Sequence, residues 1–243
     1  MSARRSLRRS WIWLQAEGAD RGEAMRYQLT LTNEEVGFII HRRGKGPASN
    51  MIREALSIRL SNEDFQNLPF KTVWGSHDGL VLPWFNAPPK IGDAEFGGCE
   101  MHDLTWYEDQ LDKAAFQIKI FRPVAWTPDK GEAAGEYWIQ EINNTPYGVL
   151  FFPRIILRCV FGEHFEWAHN LREHFCTQGV MEAWRDGAHE DIYENNLPTP
   201  LHTEKRLVKA FGVQTLEDVT TEYLFKIKGP SMVGWRRFQK DGG

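Results

Sequence analysis

A chain of 243 residues, 42% apolar and 26% charged, is long enough for one large domain, or for a medium one and a small one each with its own core. No apolar run approaches the ~20 residues of a membrane span, which excludes an integral helical membrane protein, and Cys99, Cys159 and Cys176 are too few for a disulfide framework, so reduced thiols in a cytoplasmic setting are expected. The net charge of −4 gives no global attraction to phosphate, so any nucleic-acid contact has to come from a local basic patch.

Residues 1–24 open with Arg4, Arg5, Arg8 and Arg9, without an acid in the first ten positions, and read as a disordered basic leader, an organelle transit peptide and a phosphate-binding arm being the alternatives. An α+β body is expected over 25–196, with a mostly antiparallel sheet and packed helices. Tyr27, Leu29 and Leu31 alternate with polar residues, the period of a half-buried strand. Thr32 or Asn33 then caps a helix with Glu34 and Glu35 in its first turn, ending near Arg42-Arg43-Gly44. A second helix is predicted over Asn50–Leu60. From Lys71 the pattern is that of a hairpin whose turn is Ser76-His77-Asp78-Gly79, followed by an irregular stretch bounded by Pro88-Pro89 and Gly97-Gly98. A helix over Leu104–Lys113 leads to strands over Ala115–Phe121, Glu136–Ile142 and Gly148–Phe161, the last interrupted by Pro153. Beyond Phe161 the period becomes helical, with Gly179 as a break and Val180–Trp184 as a further turn. The acidic stretch that follows closes at Leu197-Pro-Thr-Pro200, a linker over 197–200.

The remaining segment, 201–243, patterns as a small all-α unit. Lys205–Phe211 forms a helix closed by Gly212, Thr215 caps the next turn, and Leu224-Phe-Lys-Ile227 leads through Lys228-Gly-Pro-Ser231 to Val233, Trp235 and Phe238. Gly212-Val-Gln-Thr-Leu-Glu-Asp-Val219 with Leu224-Phe-Lys-Ile227 resembles the C-terminal domain of the RNA polymerase α subunit and its helix-hairpin-helix relatives. The resemblance implies a DNA-contacting fold. The family's minor-groove contact positions fall on Thr203, Arg206 and Val233, of which Arg206 alone keeps a phosphate-friendly side chain, and the hairpin's second glycine is Ser231. The expected nucleic-acid surface is therefore Arg206, Lys226, Lys228, Gly229, Ser231, Arg236 and Arg237.

Chemistry in the body reads weakly. Lys119, Glu136 and Glu141, with Asp112, outline the two-carboxylate-and-lysine pattern of a metal-dependent nuclease. Cys99-x-x-His102 with Cys159 and His164, or with His174 and Cys176, has zinc-type ligands at spacings that match no standard finger, and Glu166-x-x-His169 lacks the second pair of a di-iron bundle. Ser76-His77-Asp78 is consecutive, so its side chains cannot form a relay. His41-Arg-Arg-Gly-Lys-Gly46 reads as a basic loop, and the ten tryptophans as core or as stacking platforms. The expectation is a non-catalytic, nucleic-acid-associated accessory protein, with DNA ahead of RNA, no membrane and no cofactor or metal. The alternatives are a protein-docking subunit and a metal-dependent nuclease or hydrolase.

Overall fold

The computed structural model describes residues 29, 31–59, 73–95, 97–113, 115–123, 125–148, 174–193 and 199–204, and the backbone of 232–237. It is α+β. Among the described residues six strands form one sheet in the order β4-β3-β2-β1-β5-β6, with every neighbouring pair antiparallel. In chain order these are β1 (Ile39–Gly44), β2 (His77–Leu82), β3 (Lys90–Glu95), β4 (Gly98–His102), β5 (Phe116–Pro123) and β6 (Met232–Arg237). The helices are α1 (Pro47–Arg59), α2 (Leu104–Asp112), α3 (Pro128–Tyr137) and α4 (Cys176–Glu182); α3 and α4 each run on into a π turn, Trp138–Ile142 and Ala183–Gly187.

Both faces of the sheet are covered, so its strands carry apolar residues at consecutive positions. Ile39, Leu80, Leu82 and Phe121 face a core with Trp138, Val180 and Trp184 from α3, α4 and their π turns. Ile40, Val81, Ile91, Ile118 and Ile120 face the other, closed by Tyr107 and Leu111 of α2 together with Leu29 and Leu31. That two-sided burial corrects the first predicted helix. Thr32 does cap a turn, with Glu35 completing the capping box, but the turn is a 3-10 helix of Asn33–Glu35. Gly37, at φ +84, turns the chain out of it towards β1; Phe38, just before the strand, and Ile40 enter one core and Ile39 the other.

Three further expectations are corrected on similar grounds. Glu136–Ile142 is helical, because Trp138 and Ile142, four apart, are buried while Glu136 and Glu141 are exposed; Thr127 caps α3 at the N–H of Lys130. Ser76–Gly79 is not a turn: β2 starts at His77, and the chain reverses between β2 and β3, where Asn86 takes a positive φ of 56°. The supposedly irregular stretch after Pro89 holds β3 and β4, in which small residues hide the strand pattern; the indole of Trp138 lies where a side chain at Gly92 would be. Gly179 sits inside α4, against the same Trp138 ring.

The predicted helix over Asn50–Leu60, the helix over Leu104–Lys113 and the strand over Ala115–Phe121 correspond to α1, α2 and β5. Residues 182–193 pack into the body, with Trp184, Ile192 and Tyr193 almost completely buried. Leu201, Thr203 and Glu204 of the helical turn 200–204 are buried in the body as well. Met232–Arg237 is strand β6, paired with β5. The leader, most of the Gly148–Phe161 strand, the helix after Phe161 and the helix-hairpin-helix core at 205–231 lie outside the described residues.

Candidate active site

Side chains alternate across a strand, so His77 and Asp93 lie on the same face as Val81 and Ile91. Asp93 stands directly opposite Gly79 in the β2–β3 register, and a Cβ at position 79 would lie 2.5 Å from Asp93 Oδ1. The missing side chain lets the carboxylate lean two residues along β2 to meet His77, at 2.8 Å from Oδ1 to Nε2. Tyr107 donates its hydroxyl to the other oxygen, Oδ2, and Arg42 Nη1 stands 3.5 Å from that atom while its Nη2 pairs with Glu95 at 2.5 Å. Asp93 is fully buried and paired on both oxygens.

Cys176, the first residue of α4, is an electrostatic neighbour of His77 at the start of β2. With Nε2 engaged by Asp93, Nδ1 is the ring nitrogen left for sulfur. Burial alone would raise the Cys176 pKa. The His77 charge and hydrogen bond, with the Asp78 peptide N–H donating to sulfur, hold it below the ordinary thiol value, against the opposing charge of the Asp78 carboxylate. Burial and Arg42 would depress His77, yet Cys176 and Asp93 raise it to about 9. Asp93 itself is held well below the usual carboxylate range: burial opposes this, but Arg42, His77 and the Tyr107 hydroxyl outweigh it. The group combines a thiol whose ionisation is favoured, an imidazole and a carboxylate that orients it, the residue types that activate a cysteine nucleophile.

A cavity of about 410 Å³ adjoins this group, and two of its lining residues, His77 and Tyr147, are electrostatic neighbours of Cys176. Arg42, Ser49 and Ser76 add polar lining, and Ile52, Trp106 and Phe116 add apolar walls. Proximity to a developing thiolate also raises the Tyr147 phenol, after burial as the larger cause, so it stays protonated and able to donate.

The other candidate residues fall elsewhere. Lys119 is 1% exposed, with its ammonium 4.0 Å from the centre of the Trp74 ring, whereas Glu136 and Glu141 are exposed on α3 and its π turn. Burial of the lysine away from solvent-facing acids breaks the nuclease pattern. His102 stacks on Trp106 at 4.1 Å, and His174 is held between Thr145 and Glu182, so Cys99-x-x-His102 does not combine with His174 and Cys176 as a zinc set. Burial raises the Cys99 thiol to about 11. Among the described residues one group of three ligand-type side chains converges, His77, Asp93 and Glu95, with ligand atoms within 4.8 Å. The Arg42 guanidinium already reaches both of those carboxylates, so a divalent ion there would have to displace a built-in cation and take the imidazole from the thiol. Arg206, Lys226, Lys228, Gly229 and Ser231 lie outside the described residues, and Arg236 and Arg237 are described only as the backbone of β6.

The triad is absent from the expectations above. Ser76-His77-Asp78 contained His77 beside an acid other than the one it pairs with, Asp93, and Cys176 stood only among zinc ligands. The available signals were a cysteine just before an apolar helical run and an aspartate facing a glycine on the next strand.

No family model matches the chain, and no curated protein matches it. Among solved structures the chain is similar to one described as the crystal structure of metalloprotein yiiX from Escherichia coli O157:H7, at 14% identity and a TM-score of 0.41, over 85% of this chain and 89% of that one. A likeness at that score fixes neither fold nor chemistry.

Proposed function

We propose that this protein is a cysteine-dependent acyl-transfer enzyme, acting on an amide or ester with Cys176 as nucleophile, His77 as general base and acid, and Asp93 as the group that orients His77. The observation that carries it is the buried His77–Asp93 pair, Nε2 to Oδ1 at 2.8 Å, with Cys176 as the electrostatic neighbour that raises His77. The thiolate attacks the carbonyl carbon and the carbonyl electron pair moves to oxygen. Cys176 opens α4, so its peptide N–H has no acceptor within the helix and is available to that oxyanion. Collapse expels the amine or alcohol, which takes the imidazolium proton, and leaves a thioester on Cys176. Water, or another hydroxyl or amine, then gives a proton to neutral His77 as it attacks the thioester, and the acyl group departs with the thiol restored.

The test is reaction of the purified chain with an activated ester such as p-nitrophenyl acetate, followed by peptide mass spectrometry. A burst of nitrophenolate with acetyl on Cys176, absent in Cys176→Ser and unaffected by a metal chelator, is expected. No acylation of Cys176 in a folded protein contradicts the proposal, and chelator-sensitive turnover that survives Cys176→Ser moves the assignment to a metal at His77, Asp93 and Glu95. The nucleic-acid reading of the tail remains a separate proposal, tested by binding over a salt series in which affinity falls as Arg206, Lys226 and Lys228 release counterions.

A further inference from the structure

A second cluster lies on the sheet face opposite Asp93, and the thiol mechanism does not use it. His41 and Asp78 are partners in the β1–β2 register and share the face of Ile39 and Leu80. His41 Nδ1 lies 2.6 Å from Asp78 Oδ1 and Nε2 lies 3.2 Å from Glu204 Oε1. Glu204 also accepts the peptide N–H groups of Trp74 at 2.8 Å and Gly75 at 2.5 Å. The second Asp78 oxygen, Oδ2, accepts two hydroxyls: Thr177 at 2.7 Å and Thr203 at 2.9 Å. Lys119, opposite His41 in the β1–β5 register, contributes a second cation on this face. Every one of these side chains is at most 1% exposed. Burying two acids and two bases costs desolvation that apolar packing would avoid, so a cluster of this kind is weak evidence for stability.

Its connections point to another use. Asp78 follows the base His77, Thr177 follows the nucleophile Cys176, and the Asp78–Thr177 bond ties the strand that carries one to the helix that carries the other. We infer that Asp78 is a positioning residue for the thiol site: held by His41, its carboxylate anchors Thr177 and so sets Cys176 against His77. His41 and Lys119 offset the negative charge of Asp78 and Glu204, a charge that would otherwise disfavour a thiolate at Cys176. Thr203 and Glu204 close the cluster from the helical turn 200–204, which carries no group of the thiol site.

The inference rests on the thiol reading, and one experiment separates the two. Thr177→Val removes the hydroxyl at nearly constant volume and changes no charge, so a shift in thiol ionisation reports the loss of that hydroxyl's hold on Cys176, its 3.8 Å contact with the sulfur included. Among the described residues, the groups that titrate or carry charge and interact with Cys176 are His77 and Asp78 of β2, Cys99 of β4 and Tyr147, and all are retained. The measurement is the pH profile of Cys176 alkylation by iodoacetamide, resolved by peptide mass spectrometry, with folding checked by circular dichroism. The expected result is a midpoint raised toward the ordinary thiol value and a rate at neutral pH lowered about tenfold, with Thr177→Ser restoring both. Thr203→Val, which removes the companion bond to the same oxygen from a turn with no catalytic neighbour, is expected to lower the melting temperature and leave the midpoint in place. Should the valine variant not fold, Thr177→Ala is measured with the same expectation. A folded Thr177 variant with an unchanged profile overturns the positioning role, as does an equal shift in Thr203→Val. A wild-type Cys176 that alkylates only at ordinary thiol pH overturns the thiol reading beneath it.

Discussion

His41 and His77 sit on neighbouring strands, each against an aspartate, and each is raised to about 9. Their surroundings differ. His77 pairs with one carboxylate, faces a thiol and lines the cavity; His41 pairs with two carboxylates, lies between the rings of Trp74 and Phe121, and has no exposure. For His41, burial lowers the pKa and the Asp78 charge, with bonds from Asp78 and Glu204, more than reverses it. A shifted pKa is thus common to both, and a neighbouring thiol with access to the cavity is what the proposed chemistry finds at His77 alone. The alternation of β1 and β2 places the two clusters on opposite faces of the same residues, with Arg42 opposite His77 and His41 opposite Asp78.

The largest break in that comparison is at the thiol pair. Cys176→Ser is expected to abolish ester turnover, and His77→Ala to lower it by about 10²–10⁴-fold, the range of a lost general base, with steady-state kinetics as the check. Asp93→Asn follows. It removes the orienting carboxylate, leaves Arg42 with one buried anion fewer, and is expected to cut turnover while costing about 3–5 kcal/mol in urea unfolding.

A smaller, sharper contrast comes from stability. The folded-state pKa of His41 lies above its unfolded value, so its contribution is fully present below pH ~6.5 and is lost as pH rises through about 9. The melting temperature should fall across that window. His41→Gln should make the slope shallower without removing it, because His77 titrates there too. The smallest effect belongs to Glu136→Gln and Glu141→Gln. Both acids are exposed and outside either cluster, so turnover should be unchanged and stability within about 0.5 kcal/mol.

The ends of elements were the legible part of this sequence. Thr32 capped a turn and the α1, α2 and β5 periods stood out, because local caps and side-chain periodicity act over a few residues. Strands buried on both faces were harder. Phe38–Ile40 carries no alternation to distinguish it from helix, and Lys90–Glu95 hides behind Gly92 and Ala94, which are small to admit Trp138. The site was less legible still, since His77, Asp93 and Cys176 come from three elements and become neighbours only through the β2–β3 register and the docking of α4.

The most direct test of the central claim is an ultraviolet titration of the Cys176 thiolate, taken as the difference between the wild type and Cys176→Ser. The account predicts thiolate absorbance at Cys176 already present near neutral pH and lost from that range in His77→Ala. Ionisation of Cys176 only at the ordinary thiol value of about 8.5, with or without His77, would contradict it.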